Sequence, residues 1–295
     1  MIEITNDIAE AKLITHAGTF HPDDVFSTAF LHKLFPNGKV IRVKEAMEIK
    51  ENQIIYDIGY GKYDHHGLNA EWRNDKIKYS SFGLLWRDFG RDYLRGISNY
   101  YEEIWQRIDT KLVCQIDGID NGNFPIIKAD YELLDLDKII DLYNNNWDEN
   151  KNNDDNFILA VNCATAIFDN LIKREISNVK AYHLVINKLD SIKGDVLYLE
   201  EYSPYEEAIF ADNNSKGIKA VIYPAKRGGY NIKPITISYD SKELKYTFPK
   251  EWWGLHDDEL ANISGIKTAR FIHLNGFLAV AGTKEDAYLL CEKLS

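Results

Sequence analysis

The sequence predicts an α/β protein: a larger amino-terminal domain with a mainly parallel sheet flanked by helices, and a smaller α+β carboxy-terminal domain. Three observations predict it. Between Lys12 and Ile58 short apolar runs and one helical period follow a strand–helix–strand–strand order with short links, the pattern of a parallel sheet layered with helices. After Gly61 the chain is mostly helical, and after Gly194 it changes to short strands. Finally, 295 residues suffice for about two domains, each able to bury its own core, and the change of rhythm puts them at 1–194 and 195–295.

The elements follow in order. KLITH (12–16) reads as a strand, and Pro22–Phe35 as a helix because Phe26, Phe30 and Leu34 recur at four-residue steps. Pro22 suits the first turn of that helix and Pro36 its stop. KVIRVK (39–44) and QIIYDI (53–58) are the next strands, and Ser80–Phe89 and Asn99–Ile116 have helical apolar spacing. Residues 141–156, DLYNNNWDENKNNDDN, lack apolar periodicity and read as a solvated loop whose charges face water. Phe157–Lys173 and Asn178–Ile192 read as two helices closing the first domain. In the second, VLYLE (196–200), KAVIYPA (219–225), YNIKPI (230–235), FIHL (271–274) and FLAVAG (277–282) are strands, and Lys284–Leu294 is a helix. No internal repeat of fixed period is visible.

Composition narrows the function classes. Lys and Arg total 35 against 46 Asp and Glu, a net charge of −11, so the bulk field repels nucleic acid and anionic membranes and disfavours a binder of long duplexes. Hydrophobic residues at 45% place the chain among folded globular proteins rather than disordered ones. The first twenty residues carry three acidic side chains and no apolar core segment, which predicts no secretory signal. The apolar stretch Phe157–Phe168, broken by Asn162, Cys163 and Thr165, is too short to span a bilayer. Cys114, Cys163 and Cys291 are odd in number and far apart, which predicts reduced thiols and a cytoplasmic protein.

The chemistry concentrates near the amino terminus, where five of eight histidines lie between residues 16 and 66. His16-Ala-Gly-Thr-Phe-His21-Pro-Asp23-Asp24 occupies a strand-to-helix turn at the carboxyl edge of the sheet, where α/β proteins bind ligands. Asp57 ends an apolar strand, and a buried carboxylate there needs a cation or hydrogen-bond donors; helix capping is the alternative. In Asp64-His65-His66 a carboxylate can orient an imidazole whose other nitrogen binds metal. Asp117-Gly-Ile-Asp120 follows at the end of a helix, and Asp64 and Asp120 also suit turns. His and Asp donors without Cys favour Mn²⁺, Mg²⁺, Fe²⁺ or Co²⁺ over a structural zinc.

The ordered set H-x4-H-x-D, strand-terminal D, D-H-H and D-G-x-D resembles the DHH phosphoesterase superfamily, which includes RecJ-type exonucleases and manganese inorganic pyrophosphatases. Within it the chain is most similar to the MYG (melanocyte proliferating gene) exonuclease family. The likeness lies in THAGTFHPDD (15–24), YDIG (56–59), YDHH (63–66), YSSFGLLW (79–86) and IDGIDNG (116–122), then SPYEE (203–207), FPKEWWGLHDDEL (248–260) and FIHLNGFLAVAG (271–282). It implies a DHH-type domain, an active site in the interdomain cleft, and two divalent ions, Mn²⁺ foremost with Mg²⁺ or Co²⁺ as alternatives. His16, His21 and Asp57 would hold one ion and Asp23, Asp57, His65 and Asp117 the other, with Asp57 bridging. His66 would face the attacked phosphate and Asp64 would support the His pair. The chain departs from the pyrophosphatase and RecJ branches at His21, which stands where they have Asp. Two ions roughly 3.5–4 Å apart activate water and stabilise both attacking and leaving oxygens of an in-line displacement.

The resemblance also implies a glycine-rich carboxy-terminal module that closes over the phosphate, for which Arg227, Gly228, Gly229 and His273 are the analogous substrate-binding candidates; Arg suits bidentate phosphate contact and Gly admits close backbone approach. Lys226-Arg227-Gly228-Gly229 equally fits a hairpin turn, and the chain lacks the GGGH string of some relatives. Trp252 and Trp253 could stack a base or pack a core. The implied activity is a metal-dependent phosphodiesterase, a 3′-5′ exonuclease on short single-stranded RNA. The alternatives are a phosphatase on a small substrate (nucleoside bisphosphate, cyclic dinucleotide or pyrophosphate) and a catalytically silent metal-binding scaffold. The expected partner is a short RNA or nucleotide, with no membrane; oligomeric state is left open.

Overall fold

The computed structural model describes residues 2–46, 48, 50–67, 70–74, 76–124, 128–149, 151–192, 194–211 and 217–295. Strand β1 (Ala11–His16) lies between β2 (Lys39–Val43) and β3 (Ile54–Ile55), and both pairings are parallel. Leu13 and Ile14, on opposite faces of β1, are both fully buried, as in a parallel sheet covered on both sides. The expected strand 53–58 is shorter than predicted. Its ladder stops at Ile55, Tyr56 makes one bridge to Tyr63, and Asp57 turns left-handed at φ 54°.

Helix α1 (Pro22–Leu34) starts at the predicted proline, and every residue from Pro22 to Leu31 is buried. It is an internal helix rather than a one-faced surface helix, so it carries Asp23 and Asp24 into the interior. Around it stand α2 (Ser81–Arg95), α3 (Tyr101–Ile108) and α4 (Cys114–Asp120). The predicted single helix 99–116 is interrupted by a π-type turn, Asp109–Val113, where the Cys114 N–H reaches the Asp109 carbonyl. Phe30 meets Trp86 and Phe168 edge-on at centroid distances of 5.3 and 5.9 Å, and Phe82 meets Phe168 at 6.0 Å.

After α5 (Leu136–Asp141), α6 (Asp154–Leu189) runs unbroken where two helices were expected. The intervening Arg174-Glu175-Ile176-Ser177 contains no Gly or Pro, and Glu175 is buried against Lys111 at 2.9 Å. The chain divides into two compact units, Met1–Ile176 and Ser177–Ser295, a division that falls inside α6. The reason is packing: Tyr182, Val185, Ile186 and Leu189 share an apolar cluster with Leu197, Tyr205 and Val221.

The second unit holds β4 (Val196–Tyr198), β5 (Ala220–Pro224), β6 (Tyr230–Pro234), β7 (Ala269–Ile272) and β8 (Ala279–Ala281) in the order β4-β5-β6-β8-β7. In this sheet β4–β5 is parallel, and β5–β6, β6–β8 and β7–β8 are antiparallel. Helices α7 (Glu206–Ala211) and α8 (Asp257–Ser264) were not anticipated, while α9 (Lys284–Cys291) was. Trp252 is buried in the core with Phe248 and Leu290, and the Trp253 indole donates to the Phe248 carbonyl at 3.1 Å, so the tryptophan pair packs. No helix among the described residues is long and apolar enough to cross a membrane.

Candidate metal centre

The carboxyl ends of β1 and β3 and the first turn of α1 converge on one cleft of about 490 Å³ in the first unit. Its lining includes His16, His21, Asp57, Asp64, His65, His66 and Asp120. His16, at the end of β1, places Nε2 3.2 Å from Asp57 Oδ2 and 3.4 Å from Asp24 Oδ2. The left-handed turn at Asp57, which costs a non-glycine residue about 1–2 kcal/mol, accompanies its burial at the strand end. Its Oδ1 accepts from Ser81 Oγ at 3.2 Å and lies 3.5 Å from His65 Nδ1. Asp64 accepts the His66 Nδ1–H at 2.8 Å and the backbone N–H groups of His66 and Tyr60 at 3.0 and 2.5 Å.

Three overlapping groups offer donor atoms within 4.8 Å of one another: His16, Asp24 and Asp57; Asp23, His65 and Asp120; and Asp57, Asp64, His65 and His66. Asp57 and His65 each belong to two of them. His21 stands beside these groups as the N-cap residue of α1, its ring 6.3 Å from that of His16. Asp24 takes the position beside His16 and Asp57 that the sequence reading did not assign. It also accepts the His21 N–H at 2.8 Å, and that spacing from an N-cap is the one signal that could have singled it out.

Asp117, an expected ligand, stands outside the donor groups found among the described residues. Its carboxylate is fully buried and taken up by Arg73 Nε at 2.5 Å and by the Ser80 N–H and Oγ at 2.9 and 2.6 Å. Asp120, three residues on, instead brings Oδ2 within 2.9 Å of His65 Nε2. Both acids fit the D-G-x-D spacing, and Arg73 and Ser80, distant in sequence, distinguish them.

Burial pushes Asp23 well above the usual carboxylate range, reinforced by the charges of Asp57, Asp120 and Asp24. Asp24 rises to about 7, burial and Asp57 outweighing the attraction of His16. Burial opposes a charge on His16, but its bond to Asp57 and the charge of Asp24 prevail and carry it up to about 9. Asp64 goes the other way: burial raises it, yet the His66 and Tyr60 donors hold it at about 2. The hydrogen bond to Asp64 in turn raises His66. Both Asp23 oxygens and Asp24 Oδ2 are buried without a hydrogen-bond partner among the described residues. Buried carboxylates of that kind need a proton or a cation, and the clustered oxygen and imidazole donors fit a divalent metal.

The Asn-rich segment expected to be a plain solvated loop clasps the His16–His21 turn. The Asn144 side chain accepts the Phe20 N–H at 3.1 Å and donates to the Phe20 carbonyl at 2.9 Å. Asn153 Nδ2 and Arg42 Nη2 both donate to the Gly18 carbonyl at 2.7 Å. Asn144→Ala combined with Asn153→Ala should therefore cost about 1 kcal/mol per lost bond and weaken Mn²⁺ binding, read by thermal melting and calorimetric titration. Unchanged melting and affinity would remove the segment from any supporting role.

In the second unit Arg227, Gly228 and Gly229 form the turn between β5 and β6, with Gly228 and Gly229 at φ 83° and 80°. A Cβ on Gly229 would lie 2.3 Å from the Ala281 carbonyl oxygen, so hairpin geometry explains that glycine. His273 follows β7 and accepts the Asn275 N–H at 3.1 Å. Tyr230 pairs with Ala281, whereas Ile272 pairs with Ala279, so these candidates sit beyond opposite ends of β8 and do not form one cluster.

Residues 12–294 match the family MYG1_exonuc, described as uncharacterised protein family UPF0160. The MYG1 protein of Dictyostelium discoideum is 28% identical over 319 residues, covering 97% of each chain. The MYG1 exonuclease of Mus musculus is 25% identical over 320 residues, covering 96% of this chain and 84% of the mouse protein. The MYG1 protein of Chlamydia trachomatis is 24% identical over 281 residues, covering 92% of each. No solved structure matches the chain.

Proposed function

The chain belongs to the MYG1_exonuc family, and from that premise we propose that it is a metal-dependent phosphodiesterase, a 3′-5′ exonuclease acting on short single-stranded RNA. The observation that carries this reading is the set of buried, unpartnered carboxylate oxygens of Asp23 and Asp24 facing His16, Asp57, His65 and Asp120. The name of the mouse relative, an exonuclease, supports the choice of reaction. His16, Asp24 and Asp57 would hold one ion and Asp23, His65 and Asp120 a second, with Asp57 between them and the fold that of a DHH-type domain. Divalent ions held there supply Lewis acidity for a phosphoryl oxygen and lower the pKa of an attacking water.

The chain's own residues do the rest. Ser81 orients Asp57 through the 3.2 Å hydrogen bond, and Asp64 fixes the His66 ring by binding Nδ1. That leaves His66 Nε2, on a half-exposed side chain with a raised pKa, to donate a proton to a phosphate oxygen. Lys44 lines the same cleft and offers a cation to a neighbouring phosphate. Tyr60, also in the lining, is 78% exposed and held at φ 54°, presenting an aromatic face at the mouth of the cleft. A base can stack there, which favours an oligonucleotide over pyrophosphate.

End-labelled RNA oligomers incubated with Mn²⁺ should yield a ladder shortened from the 3′ end. Tyr60→Ala should weaken oligomer cleavage about tenfold while sparing pyrophosphate, since a lost stacking contact is worth ~1–3 kcal/mol. Release of phosphate from small substrates with the oligomer left whole would replace this reading with the small-molecule phosphatase. Tight Mn²⁺ binding with neither activity would replace it with the scaffold.

A further inference from the structure

A buried polar cluster beside the metal-ligand groups centres on Arg73. Its Nη1 and Nη2 grip the two oxygens of Asp109 at 2.7 and 2.9 Å, its Nε reaches Asp117 at 2.5 Å, and its guanidinium lies 4.7 Å from the Tyr79 ring centre. The side chain of Arg73 is only 8% exposed. Asp109 begins the π-type turn that leads into α4, so Arg73 ties both the turn and the helix to the segment preceding α2. A bidentate guanidinium contact fixes direction as well as distance, and π-type turns recur at functional sites.

From Asp117 the network continues toward the cleft. Asp117 Oδ1 accepts the Ser80 N–H and hydroxyl, and Ser80 caps α2 through the Gly83 N–H at 3.4 Å. The next residue, Ser81, donates to Asp57. Asn121, adjacent to Asp120, donates to the Lys78 carbonyl at 3.2 Å and to the Asp117 carbonyl at 2.9 Å. Gly83 completes the arrangement: a Cβ there would lie 2.3 Å from Asp117 Oδ1, so only glycine admits the carboxylate. The motif YSSFG (79–83) and the buried Asp117, which the donor groups leave unused, are thereby accounted for together.

We propose that Arg73 is a positioning residue of the metal centre: by locking Asp117 against Ser80 it sets α4 and the start of α2 so that Asp120 and Asp57 face one cleft. This rests on the metal-centre reading above. It has a rival with the opposite sign. If Asp117 were itself a ligand, Arg73 would compete with the metal, and removing the guanidinium would tighten binding.

The test is calorimetric titration of the full chain with Mn²⁺, together with the electron paramagnetic resonance spectrum of bound Mn²⁺. Arg73→Lys, Arg73→Gln, Asp117→Asn and Gly83→Ala should each weaken Mn²⁺ binding by about 10- to 100-fold and alter the spectrum at saturation, as loss of an outer-shell partner does. Asp120→Asn should do more. Leu94→Ala, which opens a cavity at the far end of α2, should destabilise the fold and leave Mn²⁺ affinity unchanged, separating positioning from general loss of stability. Should Arg73→Gln fail to fold, Arg73→Lys and Gly83→Ala carry the comparison. Tighter or unchanged binding in folded Arg73 variants overturns the proposal while the metal centre stands, provided wild type binds Mn²⁺ and Asp120→Asn does not. If the wild-type chain binds no Mn²⁺, the metal-centre reading falls and takes this proposal with it.

Discussion

Asp57→Asn is expected to abolish Mn²⁺ binding and to lower hydrolysis by about a thousandfold or more. The side chain is 3% exposed, belongs to two of the three donor groups found among the described residues, and lies between His16 at 3.2 Å and His65 at 3.5 Å. Asn keeps its shape and the Ser81 contact but removes the charge that two cations would share. Metal electrostatics contribute several kcal/mol to a phosphoryl transition state, and each ~1.4 kcal/mol is tenfold in rate. The sequence alone puts Asp117→Asn on the same footing. With Asp117 bonded to Arg73 and Ser80, its effect should be smaller and act through metal affinity. Steady-state rates and titrations of both variants decide the order. An Asp57→Asn protein with more than a tenth of wild-type activity, or an Asp117→Asn protein worse than it, would sink the assignment.

Metal-free protein should lose stability as pH rises from about 5 to 8, and Mn²⁺ should restore it increasingly over the same range. The signs follow from three groups. Asp23 and Asp24 have folded pKa values raised by burial, Asp24 to about 7, so the stability that their protonation contributes is complete below the ordinary carboxylate value of 3.8 and is lost as pH climbs through the folded values. His16 is raised as well. Its contribution is complete below 6.5 and is lost through about 9. All three therefore push the metal-free chain in one direction, and a bound cation replaces the departing protons. Asp23→Asn should melt higher than wild type without metal near pH 7.5 and gain little from Mn²⁺. Relief of an unpaired buried charge is worth at least ~1–3 kcal/mol, and each 1 kcal/mol moves the midpoint by about 2–4 °C. Melting curves with chelator and with Mn²⁺ across this range measure it. A metal-free midpoint that is flat or rising, or an Asp23→Asn protein that melts lower without metal, would contradict the arrangement.

Much of the first unit is legible in the sequence because its signals are local. The short apolar runs of KLITH and KVIRVK and the four-residue steps of Phe26, Phe30 and Leu34 specify β1, β2 and α1, and Pro22 marks the helix start. Helix α6 was less legible. Residues 174–177 lie between the two expected helices, but the helix backbone continues there because nothing in that stretch opposes it and packing in both units rewards it. The Asn-rich stretch misleads for a related reason: Asn144 and Asn153 look solvated by composition, yet they bind backbone groups over a hundred residues earlier in the chain.

The residue types and order along the chain thus determined where the candidate ligands gather. His16, Asp57, Asp64, His65 and His66 gather at the carboxyl edge of the parallel sheet, because strand ends next to helix starts meet there whatever the rest of the chain does. Only the tertiary structure decided which carboxylates join them. Asp117 and Asp120 are chemically identical and three residues apart, and Asp23 and Asp24 are neighbours, so local pattern cannot rank either pair. The choice is made by groups remote in sequence: Arg73 and Ser80 neutralise Asp117, while Asp120 faces His65, and the burial of α1 turns both Asp23 and Asp24 inward. A carboxylate's role here follows from which partner reaches it first in space, and that is a property of the packed chain.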